Sequence, residues 1–173
     1  EYARNIGGPA LRKLTFQQRG LMLKKLALHL HKVKSKFYPI SFQTGATKID
    51  SWIDIEGGIG NLFANASLRR QFPDLPYHVE GSAAPLSKNG TFIGHHIMVP
   101  RKGVAIHINA FNFPVWGLAE KAACAILAGM PILCKPATST AWMTFIAAEA
   151  IVPLLPAGSF NLLCGGAGQL LSH

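Results

Sequence analysis

Acids are scarce in this chain. Eight Asp and Glu face 17 Lys and Arg among 173 residues, and charged side chains make up only 14% of the whole. Long apolar runs are missing too, although hydrophobic residues reach 49%. No uninterrupted stretch attains the roughly 20 residues that a membrane-spanning helix needs. Ala122–Leu133 and Trp142–Leu155 come nearest, and Gly, Pro, Thr or Glu interrupts each. Such segments fit elements buried between layers, as parallel sheets require. Cysteine is sparse and unpatterned. Cys124, Cys134 and Cys164 stand in apolar surroundings without Cys-x-x-Cys spacing, which points to reduced core thiols in a cytoplasmic protein. An initiating Met and a signal segment are absent, and the chain stops at Ser172-His173 without a terminating feature. It is therefore expected to be part of a longer protein.

The charge that is present is unevenly placed. Residues 1–50 carry ten of the 17 bases and two of the eight acids, so +8 of the net +9 lies there. A basic helical face can attract nucleic acid, an acidic lipid surface or a phosphate-bearing substrate, or can simply be solvated. Aromatics interleaved with bases, as single-strand binders use, are not evident.

The first third reads as helical. Asn5–Ala10 is expected to be a loop. Thr15, with Gln18 three residues on, makes a capping box ahead of a stripe of Leu21, Leu23, Leu26, Ala27, Leu30 and Val33, which predicts a helix over residues 16–35. A short helix follows over Lys36–Gln43 despite Pro39, ended by Gly45. A third is expected over Lys48–Leu68, starting near Thr47 or Asp50, with Trp52, Ile55, Ile59, Leu62, Phe63 and Ala66 on its apolar stripe. Gly57, Gly58 and Gly60 inside it cost about 1 kcal/mol each relative to Ala, which implies close packing against a neighbour. Residues 71–90, rich in Pro, predict an irregular connection with a short edge strand, and Thr91–Val99 predicts a strand. His95 and His96 lack an acid or cysteine near them in sequence, and no metal site is read there.

Beyond residue 100 the pattern repeats. Strand starts at Gly103, Pro131 and Phe160 open the apolar strands Val104–Ile108, Ile132–Cys134 and Asn161–Cys164. Helices are expected over Trp116–Ala128 and Ser139–Val152, with a third beginning near Gly168; Gly129 and Pro153 stop the first two. Strand–helix units of this length imply right-handed crossovers and a parallel sheet. The fold class is thus α/β: a partial Rossmann-like parallel sheet with an N-terminal helical layer that covers it. Residues 1–173 form one truncated domain, comprising a helical layer (1–70), a connection with an edge strand (71–102) and three strand–helix units (103–173), the last incomplete. Ligands of such sheets bind beyond the carboxyl ends of the strands.

Three turns meet there. In the first, the amide of Asn109 or Asn112 can donate to a developing oxyanion or can merely cap the turn through the backbone. In the second, Lys135 with Thr138, Ser139 and Thr140 can hold ribose hydroxyls or a phosphate, or can be a surface lysine beside an ordinary helix cap. In the third, Gly165, Gly166 and Gly168 let backbone approach a phosphate. No full Gly-x-Gly-x-x-Gly fingerprint is present. Together the three turns favour a bound nucleotide.

The run His107-Ile-Asn-Ala-Phe-Asn-Phe-Pro114, then Lys135-Pro-Ala-Thr138, then a Gly-rich turn resembles the aldehyde dehydrogenase superfamily. The common family form Pro-Trp-Asn-Phe-Pro is replaced by Ala110-Phe-Asn-Phe-Pro114. With Gln43-Thr-Gly-Ala-Thr47 and Asp54-Ile-Glu-Gly-Gly-Ile-Gly60, that variant is most similar to the coenzyme-A-linked semialdehyde dehydrogenases of aerobic aromatic-acid breakdown, phenylacetate and benzoate branches included.

The resemblance implies roles for individual residues. Asn112 matches the family asparagine that supports the oxyanion of the thiohemiacetal. Lys135 matches the lysine on the adenosine ribose or its phosphate, and Gly165 the glycine past which the cofactor runs. The cofactor side would draw on Ile108, Asn109 and Phe111 in the first turn, Lys135, Ala137 and Thr138 in the second, and Gly165 and Gly168 in the third. Thr138 falls where many NAD-preferring members carry a Glu that repels a 2′-phosphate, so the expected cofactor is NADP, with NAD the other option. The nucleophilic cysteine and general-base glutamate of the family would lie beyond residue 173. The implied partner is a small-molecule aldehyde, CoA-linked, with neither nucleic acid nor membrane involved and a homo-oligomer for the full-length protein. The alternative is a non-catalytic nucleotide-binding fragment.

Overall fold

The computed structural model describes residues 1–166 and residue 168. The chain starts with a π-helical turn, Ala3–Gly7, that runs directly into helix α1, Gly8–Arg12. The loop expected over Asn5–Ala10 is therefore helical. Gly7 reflects packing instead of a turn: a Cβ there would overlap the Gly158 carbonyl. Pro9 sits in the first turn of α1, where its missing N–H costs nothing.

Helix α2 spans Phe16–Val33. Thr15 Oγ1 accepts from Gln18 N at 3.1 Å, and Gln18 Oε1 accepts from Thr15 N at 2.9 Å, so the capping box forms in both directions. Its inner face buries Leu23, Leu26, Ala27 and Leu30, whereas Leu21 turns outward. Arg19 is buried on the same face, and its guanidinium donates to the carbonyls of Leu127 (2.7 Å), Leu14 (2.5 Å) and Leu11 (3.4 Å). One cation thus closes the ends of α1 and of a later helix, where carbonyls lack intrahelical partners.

Helix α3, Phe37–Gln43, accommodates Pro39 in its first turn. Helix α4, Lys48–Ser67, starts at Thr47, whose hydroxyl accepts from Asp50 N at 3.1 Å. Ile55, Ile59, Leu62 and Ala66 face the core, but Trp52 is 59% exposed and leaves the predicted stripe. The glycines of α4 divide in use. A Cβ on Gly57 would overlap the Trp116 ring, and one on Gly58 would stand 3.1 Å from Val115 Cγ1, whereas Gly60 meets nothing within 4 Å.

Strands β1, His78–Pro85, and β2, Ile93–Met98, pair antiparallel from His78↔Met98 to Pro85↔Ile93. The expected edge strand belongs to this separate hairpin and does not join the parallel sheet. That sheet has order β3-β4-β5, built from Ala105–Ile108, Ile132–Lys135 and Phe160–Leu162, all parallel. Between these strands run helices α5, Pro114–Leu127, and α6, Ala141–Ile151, the latter preceded by a 3-10 turn over Thr138–Thr140. The helix expected near Gly168 lies outside the described residues.

Register decides which face is covered. His107, Cys134, Ile132 and Phe160 point under the helices and are buried, while Ile106 and Ile108 on the opposite face are 67% and 62% exposed. The Ala3–Gly7 turn packs on β5, but the larger N-terminal helices do not lie chiefly on the sheet as expected. Helices α2 and α4 pack chiefly on each other and on α5, and α2 and α3 also pack on α6, so the crossover helices form a middle layer. The first turn of α5 is consequently held between the sheet and α4. The thiols differ from expectation as well: Cys134 is buried, but Cys124 and Cys164 are exposed.

Candidate active site

Strand β3 ends at Ile108, and the ladder continues one step as Asn109 N donates to Lys135 O at 3.0 Å. The pleat then turns the Asn109 side chain inward. Its Nδ2 lies 3.5 Å from Cys134 Sγ, and its Oδ1 is buried without a partner. Asn109 is thus a core residue linking β3 to β4 and does not face the strand-end crevice with Ile108 and Phe111.

The turn Ala110-Phe111-Asn112 is exposed. Phe113 follows at φ 52, ψ 56, the one non-glycine residue with positive φ among those described. Pro114 accounts for part of this, because a residue before proline is driven from the right-handed helical region. Pro114 then opens α5 at the position that needs no N–H. Phe113 supplies no side-chain cap. Asp54 of α4 does so instead, its Oδ1 accepting from Trp116 N at 2.7 Å. Burial pushes the Asp54 carboxyl up to about 6, against the lowering effect of the Trp116 and Val115 backbone N–H groups.

Asn112 stands between two cavities. One, of about 320 Å³, is shared by Ser41, Thr44, Asp54, Phe111, Phe113 and Thr140. The other, of about 330 Å³, is lined by Ile53, Ala110, Trp116, Gly117, Glu120 and Lys121. In the second, Trp116 Nε1 donates to Glu120 Oε2 at 2.9 Å, and Lys121 Nζ lies 3.4 Å from Glu120 Oε1. An exposed primary amide beside both spaces can reach a carbonyl oxygen placed in either.

The second turn lies alongside the first. Lys135 ends β4 opposite Ile108 in register, and its Nζ donates to its neighbour Pro136 O at 2.9 Å. Ala137 is extended and leads into the 3-10 turn, which exposes Thr138. Thr138 Oγ1 donates to Gly165 O at 3.5 Å, tying the second turn to the third. Gly165 has φ +127, which favours glycine, and open space surrounds its Cα. Gly168 is exposed. Ile108, Phe111, Asn112, Lys135, Thr138 and Gly165 thus lie at or just beyond the ends of the three parallel strands, whereas the Asn109 side chain turns into the core.

Two buried groups beneath the crevice are chemically quiet. Burial pushes the Cys134 thiol up to about 11, so it carries no useful thiolate. Burial first, and the Lys121 charge second, lower the His107 pKa and keep the imidazole neutral. Sequence reasoning passed over Asp54, Trp116, Glu120 and Lys121 as site residues. For Asp54 a signal existed: a carboxylate on the apolar stripe of α4, between Ser51 and Ile55.

A parallel α/β sheet with its convergent turns beyond the strand ends defines a class of ligand-binding fold. The model of the aldehyde dehydrogenase family matches residues 2–173, and the chain belongs to that family. It is 40% identical over 176 residues to a 3,4-dehydroadipyl-CoA semialdehyde dehydrogenase of Aromatoleum evansii, an alignment spanning 100% of this chain and 34% of that protein. It is also 40% identical over 69 residues to an NADP(+) succinate-semialdehyde dehydrogenase of Escherichia coli strain K12, covering 39% of this chain and 14% of the relative. The fold is that of PnpE in complex with nicotinamide adenine dinucleotide, with a TM-score of 0.82, 24% identity, and coverage of 96% of this chain and 33% of the other. It is equally that of 3,6-anhydro-L-galactose dehydrogenase in complex with NAP, with a TM-score of 0.81, 23% identity, and coverage of 99% and 35%. The chain spans about a third of the length of the first of these relatives and of both structures. No helix among the described residues is long and apolar enough to cross a membrane.

Proposed function

We propose that this chain is the N-terminal part of an NADP-dependent aldehyde dehydrogenase that oxidises an acyl-CoA semialdehyde of aromatic-acid degradation to the acid. The observation that carries this reading is the exposed Asn112 amide at the strand ends, between two cavities able to receive an aldehyde. Its Nδ2 would donate to the oxyanion formed when a thiolate adds to the carbonyl, where charge develops and a fixed donor acts most strongly. The nucleophilic cysteine and the general-base glutamate are assigned to residues outside this chain. Cys134 is unsuited to the first role, being buried with its thiol pushed up to about 11.

The strand-end residues fit a dinucleotide. The open backbone at Gly165 admits a close approach, Lys135 supplies a cation, and Ile108 and Phe111 offer exposed apolar walls. When bound, the nicotinamide would supply the hydride acceptor. Thr138 brings no carboxylate to the second turn, which leaves room for a 2′-phosphate. A cytoplasmic homo-oligomer is part of the same proposal.

Aldehyde-dependent reduction of NADP by the intact protein, faster with a CoA-linked semialdehyde than with the free one, is the expected result. The isolated chain should catalyse none, and turnover by it would overturn the assignment of nucleophile and base. Thr138→Glu in the intact protein should move the NADP-to-NAD ratio of kcat/KM about ten-fold or more toward NAD, since a like charge beside a phosphate costs several kcal/mol. An unchanged ratio would remove the reading of that turn.

A further inference from the structure

Helix α5 begins in an unusual way. Its N-cap residue, Phe113, is left-handed and has no polar side chain, yet the first turn it should cap is largely buried. Unmet N–H donors there would cost free energy comparable to a lost hydrogen bond. A Ser, Thr, Asn or Asp at the cap would be the ordinary solution. The Phe113 side chain is committed elsewhere: it lines both cavities that flank Asn112. The acceptor comes from α4 instead, through Asp54 Oδ1 at 2.7 Å from Trp116 N.

Asp54 is a costly choice of acceptor. It is 2% exposed, its Oδ2 is buried without a hydrogen-bond partner, and no Lys or Arg pairs with it among the described residues. Its counter-charge is the positive end of α5 itself. Two glycines, Gly57 and Gly58, bring the α4 backbone against Trp116 and Val115 with no room for a Cβ on Gly57. Carboxylate and glycines therefore grip the same turn of α5 from one side, two and three residues beyond the left-handed Phe113.

We propose that Asp54 is a positioning residue that holds the Asn112–Phe113–Pro114 turn and so sets the direction of the Asn112 amide. The inference rests on the proposed role of Asn112 as oxyanion donor. A donor displaced by about 1 Å can cost on the order of a hundred-fold in rate, so the hold on this turn bears on kcat more than on nucleotide affinity.

The test compares Asp54→Ala and Asp54→Asn in the intact dehydrogenase that carries this chain. Kinetics give kcat and the KM for aldehyde and for NADP, and hydrogen–deuterium exchange reports the Trp116 amide. Ala should lower kcat about ten-fold or more, leave the KM for NADP within about two-fold and speed exchange at Trp116. Asn keeps an acceptor in the place of Oδ1 and should restore both kcat and slow exchange. If Ala does not fold, Asp54→Ser, polar but too short to reach, takes its place. Wild-type kcat in the Ala or Ser variant overturns the proposal, as does a variant that melts earlier but turns over normally once folded. Failure of Asn to restore kcat while Trp116 stays protected overturns it too. A wild-type protein inactive on every aldehyde sinks the proposed function instead. The exchange rates of the two variants then decide by themselves whether Asp54 holds the turn.

Discussion

Asp54→Asn should remove the loss of stability that the Asp54 carboxyl imposes on the parent as pH rises from 4 to 6. The carboxyl is moved from 3.8 in the unfolded chain to about 6 in the folded one, chiefly by burial. The folded state therefore binds more protons than the unfolded state across that interval. The Asp54 contribution is fully present below pH 4, falls as pH rises, and levels off above the folded value. A shift of roughly two units at 1.36 kcal/mol per unit corresponds to about 3 kcal/mol. Asparagine keeps the acceptor for Trp116 N but places Nδ2 where Oδ2 has no partner, which costs about 1 kcal/mol at every pH. The variant should thus be less stable than the parent by about 1 kcal/mol at pH 4 and more stable by about 2 kcal/mol at pH 8. Urea unfolding at half-unit pH intervals measures both curves. A difference between variant and parent that stays constant from pH 4 to 8 would refute the reasoning, because it would mean that Asp54 does not titrate between those limits.

Gly57→Ala forces the Trp116 ring out of its seat against α4 and should cost about 2 kcal/mol, read as a lowered Tm. Arg19→Met fills a similar volume but leaves the carbonyls of Leu11, Leu14 and Leu127 without their donor, a loss on the order of 3 kcal/mol in denaturant unfolding. In the native chain at pH 8, a thiol reagent should modify the exposed Cys124 and Cys164 promptly and Cys134 only after unfolding. Modification of Cys134 at the same rate as the others would contradict its burial.

The parallel sheet was legible because its strands must be apolar on both faces and must be separated by crossover helices, so a strand–helix repeat leaves a periodic mark. The starts of α2 and α4 were legible because Thr15 and Thr47 cap through their own side chains, within four residues of sequence. What escaped depended on contacts distant in sequence. Gly7 read as part of a loop because nothing local says that the Gly158 carbonyl lies against it. Strand β2 was legible within Thr91–Val99, but β1 read only as a connection with a short edge strand because its exposed residues lack the alternation that a half-buried sheet imposes. Asn109 and Asn112 read alike because both are strand-end amides. The pleat at the end of β3 sends Asn109 inward toward Cys134, and the turn that follows leaves Asn112 exposed.

The same distinction explains why half of the candidate site was visible and half was not. Residues that would touch a ligand sit at strand ends, whose position follows from local pattern. Residues that hold those ends in place come from another layer. Asp54 precedes Asn112 by 58 residues, and its partner is a backbone N–H that no side-chain motif announces. Beyond its place in the Asp54–Gly60 run, its trace in the sequence is a carboxylate on the buried stripe of α4 where Ile or Leu would cost less. An acid so placed, followed three and four residues later by two glycines, marks α4 as a surface shaped to receive the start of another helix.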